Sequence, residues 1–196
     1  PVFGLPYREQ ALDYPQVFGR QAPVVLEIGF GMGDTTAEIA ANAPDIDFIA
    51  IDVHTPGVGA LLKLIEQKEL SNLRVIEHDA QEVLRQMIAP GSLTGIHVFF
   101  PDPWPKARHA KRRLTHRSFL ARYKELLVPG GKLVFKTDNR ALFDFSLEEF
   151  CEMGLLLHDV SYDLHSEARP DNVMTEYEKK FSGKGEKINR CEVTFA

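Results

Sequence analysis

Apolar residues in this chain fall into short, β-branched runs separated by longer stretches with helical spacing. Val24–Ile28 is an apolar run of strand length interrupted by one acid, Glu27. Comparable runs occur at Phe48–Ile51, Leu73–Ile76, Ile96–Phe100 and Lys132–Lys136. Strands buried on both faces have this character. Between them the spacing predicts helices over Asp34 to about Asn42, with Asp34 as N-cap, Val58 to about Lys68, Gln81–Met87, His116–Leu127 and Ala141–Met153. Pro129-Gly130-Gly131 is expected to stop the fourth of these. Leu155–Tyr162 and Arg190–Phe195 read as a late antiparallel strand pair, and Ser166–Val173 as a loop.

Strand–helix alternation of this kind implies right-handed crossovers. The expected architecture is a Rossmann-like α/β three-layer sandwich with a mostly parallel sheet. Ligands in such sheets bind beyond the carboxyl ends of the strands. A chain of 196 residues suits one core, so residues 21–196 are expected to form a single domain. Residues 1–20 show no clear period and are expected to form an N-terminal arm, mobile or shortened.

The first strand ends in Glu27-Ile28-Gly29-Phe30-Gly31-Met32-Gly33. Glycines here permit positive φ and close approach of a ligand to the backbone. A dinucleotide site also uses a glycine-rich turn with an acid about 20 residues on, and Asp52 would serve either ligand. Three details favour S-adenosylmethionine. The spacing is G-x-G-x-G. Glu27 lies inside the strand. Asp34 occupies the helix N-terminus that a pyrophosphate would need. An ammonium and a sulfonium, by contrast, are well served by acids. Asp52 then suits the ribose hydroxyls, and Asp79 the adenine end. Each acid also has a plain structural reading, as a buried partner or a cap.

Charge changes the picture next. The chain carries a net charge of −5, with 23 basic and 28 acidic residues. Yet Lys106, Arg108, Lys111, Arg112 and Arg113 fall within eight residues that contain no acid. Such an island is an electrostatic footprint for RNA phosphates, or else a solvated loop. It follows Phe99-Phe100-Pro101-Asp102-Pro103-Trp104-Pro105, whose three prolines make a stiff loop. That loop can hold Asp102 at the mouth of the site and offer Trp104 to a base.

Cys151 and Cys191 are the only cysteines and have no metal or disulfide spacing. The seven histidines show no ligand pairing. No metal is therefore expected. No stretch approaches the roughly 18 apolar residues of a membrane span. A reduced cytoplasm is the expected setting.

Together, LEIGFGMG (Leu26–Gly33), IDVHTPGVGA (Ile51–Ala60), HDA (His78–Ala80), FFPDPWPKARHAKRR (Phe99–Arg113), KTD (Lys136–Asp138) and TEYEKKF (Thr175–Phe181) closely resemble the bacterial tRNA (guanine-N7-)-methyltransferase family. The glycine turn is shared by many methyltransferases, whereas the Pro-Asp-Pro-Trp segment is highly specific. The resemblance implies a class I S-adenosylmethionine-dependent fold acting on guanine 46 in the tRNA variable region. It implies Glu27, Gly29, Gly31, Gly33, Asp52, Asp79 and Asp102 as cofactor-site residues, with Asp102 also catalytic. Lys106, Asp138, Thr175, Glu176, Tyr177 and Glu178 would contact the substrate. Arg108, His109, Lys111, Arg112 and Arg113 would lie along RNA. A monomer or a homodimer is compatible with the family. Asp52 stands where the family commonly has a longer Glu, and the residues before Phe18 match poorly. Rival readings are a class I methyltransferase for a small molecule or protein, a non-catalytic RNA-binding module, and a nicotinamide-dependent oxidoreductase. The last is disfavoured by Asp34 and the glycine spacing.

Overall fold

A computed structural model describes residues 3–195. Seven strands form one sheet: β1 (Val24–Ile28), β2 (Asp47–Asp52), β3 (Leu73–Glu77), β4 (Leu93–Phe99), β5 (Leu127–Thr137), β6 (Leu156–Ser161) and β7 (Asn189–Thr194). Their order is β3-β2-β1-β4-β5-β7-β6. The first five pair in parallel, while β7 runs antiparallel to both β5 and β6. The expected mostly parallel sheet with a late antiparallel pair is therefore observed. Chain direction across the sheet reverses between β1 and β4, the place where open α/β sheets carry their ligands.

Alternation along the strands sorts the core into two layers. Val24, Leu26 and Ile28 of β1 pack with α4 (Ala80–Gln86), α5 (Arg117–Leu126) and α6 (Arg140–Glu152). Val25, Phe48, Ala50 and Val75 face the other way, against α2 (Asp34–Asn42) and α3 (Thr55–Gln67). Both faces of the central strands are covered, which is why their sequences read as unbroken apolar runs.

Several expected boundaries move, among them the start of α3 from Val58 to Thr55 and of β4 from Ile96 to Leu93. Asp34 is the first helical residue of α2, and Gly33 is the N-cap with φ 85° and no side-chain bond. A carboxylate in the first turn still complements the helix dipole. The helix beginning near His116 gives way to β5 at Leu127, so Pro129-Gly130-Gly131 does not stop it. These residues lie within β5, where the register against β4 shifts between Leu93 and Gly95. Gly130 and Gly131 bond there to the backbone of Phe195.

At the amino end, α1 (Tyr14–Phe18) is capped by Asp13. Residues Phe3–Leu5 lie along the outer edge of β3 through backbone bonds to Val75. Arg74 holds this region. Its guanidinium lies over the rings of Phe3 and Phe18 and donates to the Val17 carbonyl. Among the described residues no helix is long and apolar enough to cross a membrane.

Candidate active site

The turn after β1 places Gly29, Gly31 and Gly33 all at positive φ, between 62° and 85°. The start of α3 presses on it from outside. A Cβ on Gly57 would lie 1.9 Å from the Gly31 carbonyl oxygen, so only glycine lets α3 approach this closely. From the neighbouring strand, the Asp52 carboxylate accepts the Gly31 N–H at 3.0 Å and the N–H groups of Val53 and His54 at 2.7 and 3.1 Å. Asp52 thus joins the end of β2 to the glycine turn.

Two cavities meet at Gly29. One, of about 400 Å³, is bounded by Glu27, the glycine turn, Phe99, Phe100 and the Thr175–Tyr177 stretch. The other, of about 240 Å³, is bounded by Asp52, His78, Asp79, Asp102, Trp104 and Arg112. The acids expected at a cofactor site are brought together around this pair of cavities. Glu27 stands at the first, 4% exposed. Burial pushes its carboxyl up to about 7. Among the described residues no cation lies within ion-pair distance of it. Asp79 caps α4 through the Glu82 N–H at 3.3 Å, while its exposed side lines the second cavity.

The Pro-Asp-Pro-Trp loop is held in an unusual conformation. Phe100 and Trp104 flank exposed Asp102 and both have positive φ, 51° and 43°. For bulky residues this is a strained backbone that its surroundings must over-determine. Arg113 supplies much of that restraint. Its guanidinium donates to the carbonyls of Pro103 and Trp104 at 2.9–3.2 Å and lies 4.4 Å from the Phe145 ring. Arg113 therefore departs from the expectation of an RNA-facing side chain, because all this bonding points it inward. Lys106, Arg108, Lys111 and Arg112 are exposed around the 3-10 turn Ala107–Arg112. Arg112 lies over the Trp104 ring at 4.9 Å, and His109 meets that ring edge-on.

The opposite wall comes from α7 (Glu176–Ser182), a helix that the apolar pattern did not predict. Thr175 and Glu178 form a capping box at its start. Glu178 also departs from expectation. It is 0% exposed, and its carboxylate accepts from Lys136 Nζ, Asn172 and the Thr175 N–H, each at 3.1 Å. It thus anchors the wall from behind. Burial holds Lys136 below the ordinary lysine range. Tyr177 does face the first cavity. Its hydroxyl donates to Asp138 at 3.1 Å, and its ring packs between Phe100 and Phe181. Burial and Asp138 together raise its phenol above the ordinary range. Glu176, also on this wall, is exposed and pairs with Lys179 at 2.8 Å. The composition of the island gave no signal that Arg113 would be a loop restraint, and neither His78 nor Phe100 was expected at the site.

Residues 21–191 match a family model described as "Putative methyltransferase". The chain belongs to this methyltransferase family. Its relatives include the tRNA (guanine-N(7)-)-methyltransferases of Paraburkholderia xenovorans (strain LB400) and Burkholderia mallei (strain ATCC 23344). Each is 60% identical over 138 residues, which is 70% of this chain and 53% and 52% of theirs. The chain spans about half the length of the curated relatives it matches. Among solved structures, the 16S rRNA methyltransferase KamB superposes with a TM-score of 0.66 at 16% identity, covering 95% of this chain and 94% of that one. TrmN from Thermus thermophilus gives 0.62 at 18%, covering 93% and 47%. The fold of this chain is that of the class I methyltransferases, as expected. Among the described residues no group of three or more His, Cys, Asp or Glu could hold a metal ion.

Proposed function

We propose that this methyltransferase transfers a methyl group from S-adenosylmethionine to N7 of a guanine in the variable region of tRNA. The observation that carries this reading is the double cavity. One half is faced by a buried carboxylate, the other by three further acids, and an exposed basic turn adjoins the second. The names of the 60% identical relatives support the same substrate.

The residues fit such a cofactor. Glu27, lacking a cation of its own, suits the ammonium of the amino-acid half. Asp52 and Asp79 keep carboxylate lone pairs beyond their backbone bonds and suit the ribose and the adenine amine. When bound, S-adenosylmethionine supplies an electrophilic methyl group on a cationic sulfur. Guanine N7 carries a lone pair and no proton, so no side chain must deprotonate the nucleophile. The task left to the chain is alignment and charge stabilisation. Asp102, on a loop fixed by three prolines and Arg113, is suited to stabilise the positive charge that develops on the purine. Asp138, with Tyr177 beside it, is suited to the guanine N1–H and N2–H edge. Lys106, Arg108, Lys111 and Arg112 serve phosphates, and Trp104 is suited to stacking on an extruded base.

The test is incubation with unmodified tRNA and S-adenosylmethionine, followed by nucleoside mass spectrometry and site mapping. 7-Methylguanosine in the variable region is the expected product. Methylation of a different base, or of none, overturns the assignment.

A further inference from the structure

The residues ahead of the family match reach the candidate cofactor site. Val75 donates its N–H to the Phe3 carbonyl at 3.0 Å, and Leu5 donates to the Val75 carbonyl at 2.8 Å. Residues 3–5 therefore run parallel to β3 and head for its carboxyl end. There Tyr7 lies flat on His78, with ring centroids 3.8 Å apart and planes 11° apart. Arg74, bracketed by Phe3 and Phe18, fastens this path to the sheet edge.

His78 is also held from other directions. Its Nε2 pairs with Glu82, and its N–H donates to the Asp52 carbonyl at 3.1 Å. The same histidine lines the cavity that Asp52, Asp79 and Asp102 share. An imidazole at a cavity mouth ordinarily samples several rotamers, and a ligand that needs one of them must bear the cost of ordering it. A stacked partner on one face and an acid at the edge remove most of that freedom beforehand.

We propose that Tyr7 is a positioning residue for the adenosine half of the cofactor, fixing the His78 ring as a wall of the second cavity. The proposal rests on the S-adenosylmethionine reading above, and it gives a role to a segment outside the region that the family model matches.

Calorimetric titration with S-adenosylhomocysteine, and with 5′-methylthioadenosine lacking the amino-acid end, tests it directly. Tyr7→Phe keeps the stack and should stay within about twofold of the parent. Tyr7→Ala and Tyr7→Leu should each weaken both ligands by about threefold to tenfold, the range expected for one aromatic pair. In a His78→Ala background, Tyr7→Ala should cost nothing further, since its effect passes through His78. Unchanged affinity in both Tyr7→Ala and Tyr7→Leu overturns the proposal. So does a loss that multiplies with that of His78→Ala, or one confined to S-adenosylhomocysteine. A parent protein that binds neither ligand overturns the cofactor reading and this proposal together, whereas a binding parent with indifferent variants removes this proposal alone.

Discussion

Glu27 offers the sharpest test of the site, because its burial ties fold stability to ligand affinity. Its carboxyl rises from an ordinary 4.5 to about 7 in the folded protein, with burial as the main cause. The folded state therefore binds this proton more tightly than the unfolded chain does. Stability contributed by that proton is complete below pH 4.5 and is lost as pH climbs to about 7. Above that, the ionised carboxylate costs about 3 kcal/mol, from the usual 1.36 kcal/mol per pH unit. Glu27→Gln removes the titration. Its stability relative to the parent should rise by about 3 kcal/mol between pH 4.5 and 8 in urea unfolding. A bound ammonium reverses the preference, since it favours the carboxylate. Affinity of the parent for S-adenosylhomocysteine should then fall toward tenfold per pH unit below 7, and Glu27→Gln should bind weakly with a flat profile. If the stability difference between parent and variant is the same at pH 5 and pH 8, the reasoning is refuted.

Gly57→Ala would bring a methyl against the backbone of the glycine turn. Overpacking of about 1–3 kcal/mol should appear as about a tenfold loss of S-adenosylhomocysteine affinity by calorimetry, with the far-ultraviolet dichroism retained. Asp102→Asn should lower the single-turnover methylation rate by about 10²–10³ while changing cofactor affinity less than about threefold. Equal losses in both would place Asp102 in cofactor binding alone. Replacing Arg108, Lys111 and Arg112 together by Ala should flatten the salt dependence of tRNA binding by roughly 0.7–0.9 log units for each phosphate no longer neutralised. Arg113→Ala should leave that slope unchanged yet slow methylation by loosening the Pro-Asp-Pro-Trp loop, and a reduced slope would return Arg113 to the RNA-facing edge.

The central strands were legible because each is buried on both faces, so that five apolar runs stand out whatever surrounds them. The glycine turn was legible because its chemistry depends on backbone shape and therefore on residue type. Other features depend on interactions between distant positions. No local pattern says that Leu127 will pair with Leu93 and draw Pro129-Gly130-Gly131 into a strand. Nor does a run of basic residues reveal which one turns inward. Arg113 does so because the carbonyls of Pro103 and Trp104 present acceptors with no strand to satisfy them. Glu178 was hidden for a similar reason. Its burial depends on Lys136, 42 residues away.

That buried pair explains how the α7 wall is kept in register with the strand side of the first cavity. A buried ion pair is weak evidence for stability, since desolvation can outweigh the attraction. What Lys136 does supply is connection. It donates to Glu178 and to the Val173 carbonyl, and it lies 4.7 Å from the ring of Phe99, which itself lines the first cavity. One cation thereby joins β4, β5 and the α7 wall. Its charge also reaches Glu27 and works against the effect of burial there, but Glu178 is closer and the offset is incomplete. Glu27 is consequently left with a carboxyl raised to about 7. A buried carboxylate in that condition gains from an ammonium arriving with the ligand, so the same arrangement that weakens the fold by itself favours a ligand that brings an ammonium over one that lacks it.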